Sequence, residues 1–379
     1  MESIDSVLTR GVEQILPNKN ALTSLMEKRK ITLYQGFDPT KPSLHIGNLI
    51  GIRKLAQFQK LGHKVIFLIG DFTAMIGDPT DKKATRRQLS KKQIEENLAG
   101  YKGQIEKVLK LEGSNPAEIK YNSEWLSKMN FKETLGLASN FTVQQMLERD
   151  FFQERLKNEK PIFLHEFLYP LMQGYDSVVL DVDLEIGGND QLFNMMTGRT
   201  LMRSLKKKDK FVLTTKLLTD PQGTKMGKTE GNTINLTDNS SDMFSKVMSL
   251  PDTFIKLGFE LLTDANLASI DKNPLLAKKQ LAFEVVLQIH GEKNANEARD
   301  NFSQTFQKKA PRYDKVVEHA PTLVEIVSKV SRSASKAKRM IKEGAVDVDE
   351  ATISDPKYQI KGGERIKIGK KTFIKVARP

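Results

Sequence analysis

Residues 31–70 read ITLYQGFDPTKPSLHIGNLIGIRKLAQFQKLGHKVIFLIG, and this stretch decides the fold. It opens on a short extended run, Ile31 to Gly36, passes through the turn-rich FDPTKPS, and then places Ile52, Leu55 and Phe58 three residues apart on a helix stopped by Gly62. Lys64 to Ile69 follows as an apolar run of strand length, the pattern of a strand buried on both faces of a parallel sheet. The alternation continues outward. Ile94, Leu98, Tyr101, Ile105 and Val108 step by four and three, which predicts one helix with one apolar face. Further strands are predicted at Glu118 to Tyr121, near Leu184 to Ile186, and at Lys210 to Leu213. The rhythm is that of a doubly wound α/β sheet, whose ligands bind beyond the carboxyl ends of the strands. From about Ser240 to Phe306 no strand is legible, and Leu281, Val285 and Ile289 at steps of four predict a helical domain. The polar PRYDKVVEHAP, between Pro311 and Pro321, reads as a linker. The expected organisation is residues 1–229, 230–310, the linker 311–321, and a last module over 322–379.

Composition excludes several classes. The 379 residues include no cysteine, which removes disulfide frameworks and thiolate metal sites, and the five histidines are too scattered for a short-spaced ligand pair. Apolar runs such as Val65 to Gly70 fall far short of the roughly 20 residues that span a bilayer. The N-terminal MESIDSVLTRGVEQIL lacks a basic region followed by an apolar core, so a cytoplasmic location is expected. Lys and Arg number 60 against 47 Asp and Glu, a net charge of +13. From Ala320 to Pro379 there are 14 basic residues against 7 acidic ones, so the last 60 residues hold more than half of the excess. A compact basic module beside a larger body points to a polyanionic partner.

Six short patterns carry chemistry. Leu44-His-Ile-Gly-Asn48 opens a helix: a helix N-terminus with a His suits a phosphate, and a Gly there lets a flat ligand approach the backbone. In GTKMGKT, Gly223 to Thr229, only three residues separate the glycines, one fewer than in a P-loop, and Lys225 and Lys228 suit a polyphosphate leaving a reacting centre. Tyr169, Gln173 and Asp176 step by four and three on one face of an otherwise apolar helix, a pocket wall. Tyr34, Gly36 and Asp38 alternate on the first strand and its exit and could face that wall. In IGGNDQ, Ile186 to Gln191, paired glycines permit close contact and Asp190 can hold a ribose diol; Asp78, in IGDPT, could meet an ammonium group.

With these motifs in this order, the chain resembles the bacterial-type tyrosyl-tRNA synthetases, class I aminoacyl-tRNA synthetases, over almost its whole length. HIGN (His45 to Asn48) is similar to the first class I signature and KMGKT (Lys225 to Thr229) to the second. YQGFDPT (Tyr34 to Thr40), IGDPT (Ile76 to Thr80), YPLMQGYD (Tyr169 to Asp176) and GGNDQ (Gly187 to Gln191) are more discriminating. The resemblance implies a Rossmann-like parallel sheet, a helical domain and a small C-terminal α+β RNA-binding domain. It implies that Tyr34 and Asp176 hold the substrate phenol, that Asp78, Tyr169 and Gln173 hold its ammonium, and that Gln191 lies near its carboxylate. At ATP it implies Gly36, Asp38, Gly47, Gly188 and Asp190. Thr40, His45, Lys225 and Lys228, assisted by Lys82 and Arg86, would stabilise the α-phosphorus and the departing pyrophosphate, and Asn48 would donate to a ribose oxygen. ATP would come with Mg²⁺, without zinc or a prosthetic group, and a homodimer is implied through residues near Pro116 to Pro161.

The module from Thr322 to Asp349 looks like an RNA-binding domain shared with a ribosomal small-subunit protein. There Arg332, Lys336, Lys338, Arg339 and Lys342 would face tRNA while Leu323, Ile326 and Ile341 face inward. Some positions depart from the family. Asn48 stands where many tyrosine enzymes carry His, and Gln35 and Gly51 stand where some carry Cys and Thr near the ribose, so those two contacts are not carried over. Tyr34 and Asp176 argue against the related tryptophan enzymes, because an indole has no hydroxyl to meet them. Intact His45, Asp190, Lys225 and Lys228 argue against a retired, purely RNA-gripping synthetase.

Overall fold

A computed structural model of the chain describes residues 3–78, 89–219, 233–307, 313, 315–369 and 372–378. The chain divides into two compact units, residues 1–295 and 296–379.

The first unit is built on a six-stranded sheet of β1 (Val12–Leu16), β2 (Thr32–Phe37), β3 (Lys64–Ile69), β4 (Glu118–Tyr121), β5 (Leu184–Gly188) and β6 (Phe211–Thr215). Their spatial order is β1-β6-β5-β2-β3-β4. All neighbours run parallel except β1, which pairs antiparallel with β6. The α/β expectation holds, with one strand added: β1 is not legible in the sequence, because its few apolar residues form neither a run nor a strict alternation. A second difference concerns the helix expected from Ile94 to Val108. It is two helices, Lys91–Leu98 and Tyr101–Ile105, broken at Ala99 and Gly100, although Ile94, Tyr101 and Ile105 are all buried as expected. The break falls at Gly100, where glycine weakens a helix interior, although Gly103 is accommodated at the centre of the second helix.

Helix Ile46–Lys60 is buried along almost its whole length, including Leu49, Ile52, Leu55 and Phe58, as befits a helix enclosed on several sides. The segment after the sheet is helical, with Ser240–Met248, Ile255–Leu262 and Pro274–Phe302; the last has non-helical backbone at Gly291 (φ 80°), and Leu281, Val285 and Ile289 are buried. Among the described residues no helix is long and apolar enough to cross a membrane.

The second unit carries β7 (Lys315–Val317), helices Leu323–Ser331 and Ala334–Lys342, and β8 (Val346–Val348), β9 (Ala351–Thr352), β10 (Arg365–Ile368) and β11 (Thr372–Val376). Its strand order is β7-β11-β10-β8-β9. Leu323, Ile326 and Ile341 are fully buried in a core with Val346, Ile366 and Ile374. On the second helix Ala337 and Ile341, four apart, point inward, which leaves Lys336, Lys338, Arg339 and Lys342 exposed; Arg332, in the turn between the helices, is exposed too.

Candidate active site

A cavity opens beyond the carboxyl ends of β2, β3, β5 and β6, where the order of the strands reverses between β2 and β5. On one side stands the start of helix Ile46–Lys60. His45 is its N-cap: Nδ1 accepts a hydrogen bond from the Gly47 amide at 3.1 Å, and Asn48 Oδ1 accepts from the His45 amide at 3.0 Å. Nδ1 is therefore the bare nitrogen and Nε2 carries the proton, so the ring is a donor at the positive end of the helix. A β-carbon on residue 47 would lie 2.9 Å from His45 Cε1, so Gly47 also makes room for the imidazole. One turn further, a β-carbon on residue 51 would lie 2.2 Å from Gln35 Oε1. Gln35 thus fills the space that Gly51 leaves, and its Oε1 is buried without a hydrogen-bond partner.

The opposite wall is helix Leu168–Leu180, whose Tyr169, Gln173 and Asp176 line the cavity. Tyr169 donates to Asp38 Oδ2 at 2.8 Å while Thr73 donates to Asp38 Oδ1 at 2.8 Å, so Asp38, just past β2, links the helix Leu168–Leu180 to the segment that follows β3. Burial, and then Asp38 beside it, push the Tyr169 phenol well above its usual range, which keeps it a donor. Asp176 accepts from Trp125 Nε1 at 2.8 Å and from Asn122 Nδ2 at 3.3 Å. Burial raises its carboxyl well above the ordinary range, and those two donors work in the opposite direction. At the rim Asp78 accepts from Arg149 at 2.8 Å through one oxygen and from Gln191 at 2.7 Å through the other.

Gly36, Asp38, Thr40, His45, Gly47, Asn48, Asp78, Tyr169, Gln173, Asp176, Gly188, Asp190 and Gln191, drawn from separate stretches of sequence, all line this one cavity. Tyr34 does not. It is fully buried behind the wall, with its hydroxyl 2.8 Å from Ser177 Oγ and 3.4 Å from the Gln173 carbonyl. Lys82, Arg86, Lys225 and Lys228 lie outside the described residues. The sequence reading missed Trp125 and Asn122 on Asp176, Arg149 on Asp78, and a buried Lys210–Glu185 pair beneath the wall. Trp125 is the only tryptophan of the chain, yet nothing in its local pattern points to Asp176.

Comparisons with known proteins accord with this arrangement. Residues 26–307 match the family model of "tRNA synthetases class I (W and Y)" and residues 323–366 that of the S4 domain. The chain is 40% identical to a tyrosine–tRNA ligase of Carboxydothermus hydrogenoformans over 98% of its own length and 96% of that protein. It is 39% identical to that of Aquifex aeolicus, over 98% and 97%. Among solved structures, a C-terminally truncated mitochondrial tyrosyl-tRNA synthetase of Coccidioides posadasii superposes with a TM-score of 0.65 at 25% identity, covering 78% of this chain and 90% of that one. A class I signature helix at the strand ends, a polar wall facing it and full-length relatives all agree: the chain belongs to the tyrosine–tRNA ligases of the class I synthetase family.

Proposed function

We infer that the chain activates L-tyrosine with ATP, giving tyrosyl-adenylate and pyrophosphate, and then transfers the tyrosyl group to the terminal ribose of tRNA(Tyr). The observation that carries the reading is the cavity itself, with a helix N-terminus on one side and a buried row of hydrogen-bonding side chains on the other. In the first step a carboxylate oxygen of tyrosine bonds to the α-phosphorus, and the bond to the bridging oxygen breaks as its electron pair leaves on pyrophosphate. The nucleophile is already ionised, so no general base is needed, and the protein contributes position and charge. His45 and Thr40 are assigned to the phosphates and Asn48 to a ribose oxygen, with Lys82, Arg86, Lys225 and Lys228 following the departing pyrophosphate. Gly36, Asp38, Gly47, Gly188 and Asp190 are assigned to ATP. Asp78, Tyr169 and Gln173 are assigned to the ammonium, Gln191 to the carboxylate end, and Asp176 to the phenol; Tyr34, expected there beside Asp176, is turned to Ser177 behind the wall and receives no substrate contact. In the second step a ribose hydroxyl of the tRNA attacks the activated carbonyl and AMP leaves.

Mg²⁺ is proposed to arrive on the ATP phosphates and to neutralise their charge. Among the described residues no three His, Asp or Glu groups are arranged to hold a metal. The exposed basic face of the second unit, Arg332 to Lys342, is proposed to grip tRNA. A homodimer is proposed as well. Phe131 (78% exposed), Leu135, Val143 and Leu164 (81% exposed) give the first unit apolar surface that a second copy would cover, within and just beyond the expected stretch near residues 116–161. We place the reaction in the cytoplasm, with a catalytic part at 1–229 and a helical part at 230–310; the stretch 311–321, expected as a linker, instead contributes β7, which pairs with β11 in the sheet of the second unit.

The test is tyrosine-dependent exchange of labelled pyrophosphate into ATP. Exchange should require tyrosine and be nearly silent with phenylalanine and tryptophan; discrimination of about 10⁵ against phenylalanine is the established figure for tyrosine enzymes of this class and is adopted as the benchmark. Equal exchange with tryptophan would overturn the assignment.

A further inference from the structure

Behind the polar wall lies an ion pair that the reaction above does not use. Lys210, which immediately precedes β6, and Glu185, on β5, have side chains 0% and 1% exposed, and the Lys210 ammonium donates to Glu185 Oε2. Burying two charges is costly unless further hydrogen bonds complete the site, so a fully enclosed pair calls for a reason. The fold leaves space for it. Helices Leu168–Leu180 and Leu192–Leu201 cross at Gly174 and Gly198, and a β-carbon on residue 198 would lie 2.6 Å from Lys210 Nζ and 2.9 Å from Ser177 Oγ.

The direction of every bond around the pair follows from chemistry. Glu185 Oε2 is shared between Lys210 and the Ser177 hydroxyl, which stands 3.2 Å away, while Lys210 also donates to Ser177 Oγ at 2.8 Å. Glu185 Oε1 meets Gln173 Nε2 at 3.0 Å, and the Tyr34 phenol also bonds to the Glu185 carboxylate. An oxygen that can only accept must face the NH₂ end of an amide. From the other side Asn194, fully buried, donates its Nδ2 to Gln173 Oε1 at 2.9 Å and to Gln191 Oε1 at 2.9 Å. Gln173, which lines the cavity, is thereby held with its Nε2 on Glu185 and its Oε1 on Asn194.

We propose that the Glu185–Lys210 pair is a positioning device for the substrate's ammonium group: it turns the Nε2 of Gln173 back to Glu185, so that Oε1, steadied by Asn194, is the end left to accept from the ammonium. A free glutamine could turn either end toward the ligand, and the wrong end would set two donors against each other. Lys210 serves by keeping the carboxylate of Glu185 balanced where water cannot reach it. The proposal rests on Gln173 meeting the ammonium, as assigned above.

The experiment compares two competitive inhibitors of tyrosine-dependent pyrophosphate exchange. Tyramine has the phenol and the ammonium without the carboxylate; 3-(4-hydroxyphenyl)propanoate has the phenol and the carboxylate without the ammonium. In Glu185→Gln/Lys210→Met both charges go together, and the new amide can offer Gln173 either a donor or an acceptor. Tyramine should weaken by about tenfold or more, the scale of one hydrogen bond to a charged group, while the propanoate stays within about twofold. Glu185→Asp, which keeps the pair but shortens the reach to Gln173, should show the same selectivity in a more conservative background. Equal weakening of both inhibitors would mean a merely structural role, and no change in either would mean no role; both results overturn the proposal. Gln173→Leu separates the premises. If it changes the tyramine-to-propanoate ratio while the two Glu185 variants do not, only the positioning role falls; if it leaves the ratio unchanged, the assignment of Gln173 falls and the positioning role with it.

Discussion

Gly51 and Gln35 show how a residue's meaning can lie in its neighbour. Alanine is a better helix former than glycine by about 1 kcal/mol, yet at position 51 its β-carbon would meet the Gln35 amide at 2.2 Å. Gly51→Ala should therefore stabilise the protein by about 1 kcal/mol in a Gln35→Ala background and lose that gain, or reverse it, when Gln35 is present. A double-mutant cycle by urea unfolding measures the coupling, and equal effects in both backgrounds would show that the two residues do not compete for one space. At this scale the sequence is legible where a motif names its own function, as at His45, Asp190 or the stripe of Tyr169, Gln173 and Asp176, all of which line the cavity. It is illegible where a side chain answers a residue far along the chain. Arg149 and Asp78 are 71 positions apart, and Lys210 and Glu185 look like ordinary surface residues until their burial is known. Tyr34 is expected in the facing wall and stands behind it, because strand alternation gives only the side on which a residue points, not which hydroxyl it will meet.

Elements read best where apolar residues are contiguous. The run Lys64 to Ile69 is β3, and Glu118 to Tyr121 is β4, because a strand covered on both faces needs no alternation to announce it. One loop between such elements carries a pH dependence. His63, just ahead of β3, is buried and its Nδ1 accepts from the Ile31 amide, next to β2, at 3.2 Å. Burial, and secondarily the charge of Lys30, lower its pKa to about 4. In the unfolded chain the ring takes a proton near pH 6.5, so between those values the unfolded state binds more protons. Stability should thus be lost as the pH falls from about 6.5 through 4, by up to about 3 kcal/mol from this residue. His63→Asn removes the titration, and its urea-unfolding free energy plotted against pH should be flatter than that of the parent by that amount. Parallel curves over this range would show that His63 is not the titrating group.

For the molecule as a whole, the two units divide the work. Every residue assigned to tyrosine and ATP lies in the first unit, while the second has its own apolar core and an exposed basic face. Deleting Thr322–Pro379 should leave pyrophosphate exchange nearly intact and severely weaken tRNA charging. Within the intact chain, each alanine at Arg332, Lys336, Lys338, Arg339 or Lys342 that removes a phosphate contact should flatten the slope of log K against log salt by about 0.7 to 0.9. Full-rate charging by the truncated protein would place the RNA grip elsewhere. Leu135→Asp with Leu164→Asp should convert the proposed dimer to monomers in sedimentation velocity; an unchanged sedimentation coefficient would mean that this apolar surface does not join two copies.

The edge strand β1 bears on how such a chain is made. Its register sets Val12 against Thr215 and Leu16 against Val212, so its one neighbour in the sheet among the described residues is synthesised about two hundred residues later. At a translation rate of about 5–20 residues per second, β1 waits on the order of ten to forty seconds before a partner exists. The remaining strands can associate from their own crossovers as they emerge, but the border of the sheet beside β6 is sealed last. Arg10, which reaches the carbonyls of Phe259, Glu260 and Ala265, must wait longer still. The nascent chain therefore carries an unpaired strand edge throughout the making of its catalytic half, and slowing the ribosome between residues 16 and 215 lengthens that exposure in direct proportion.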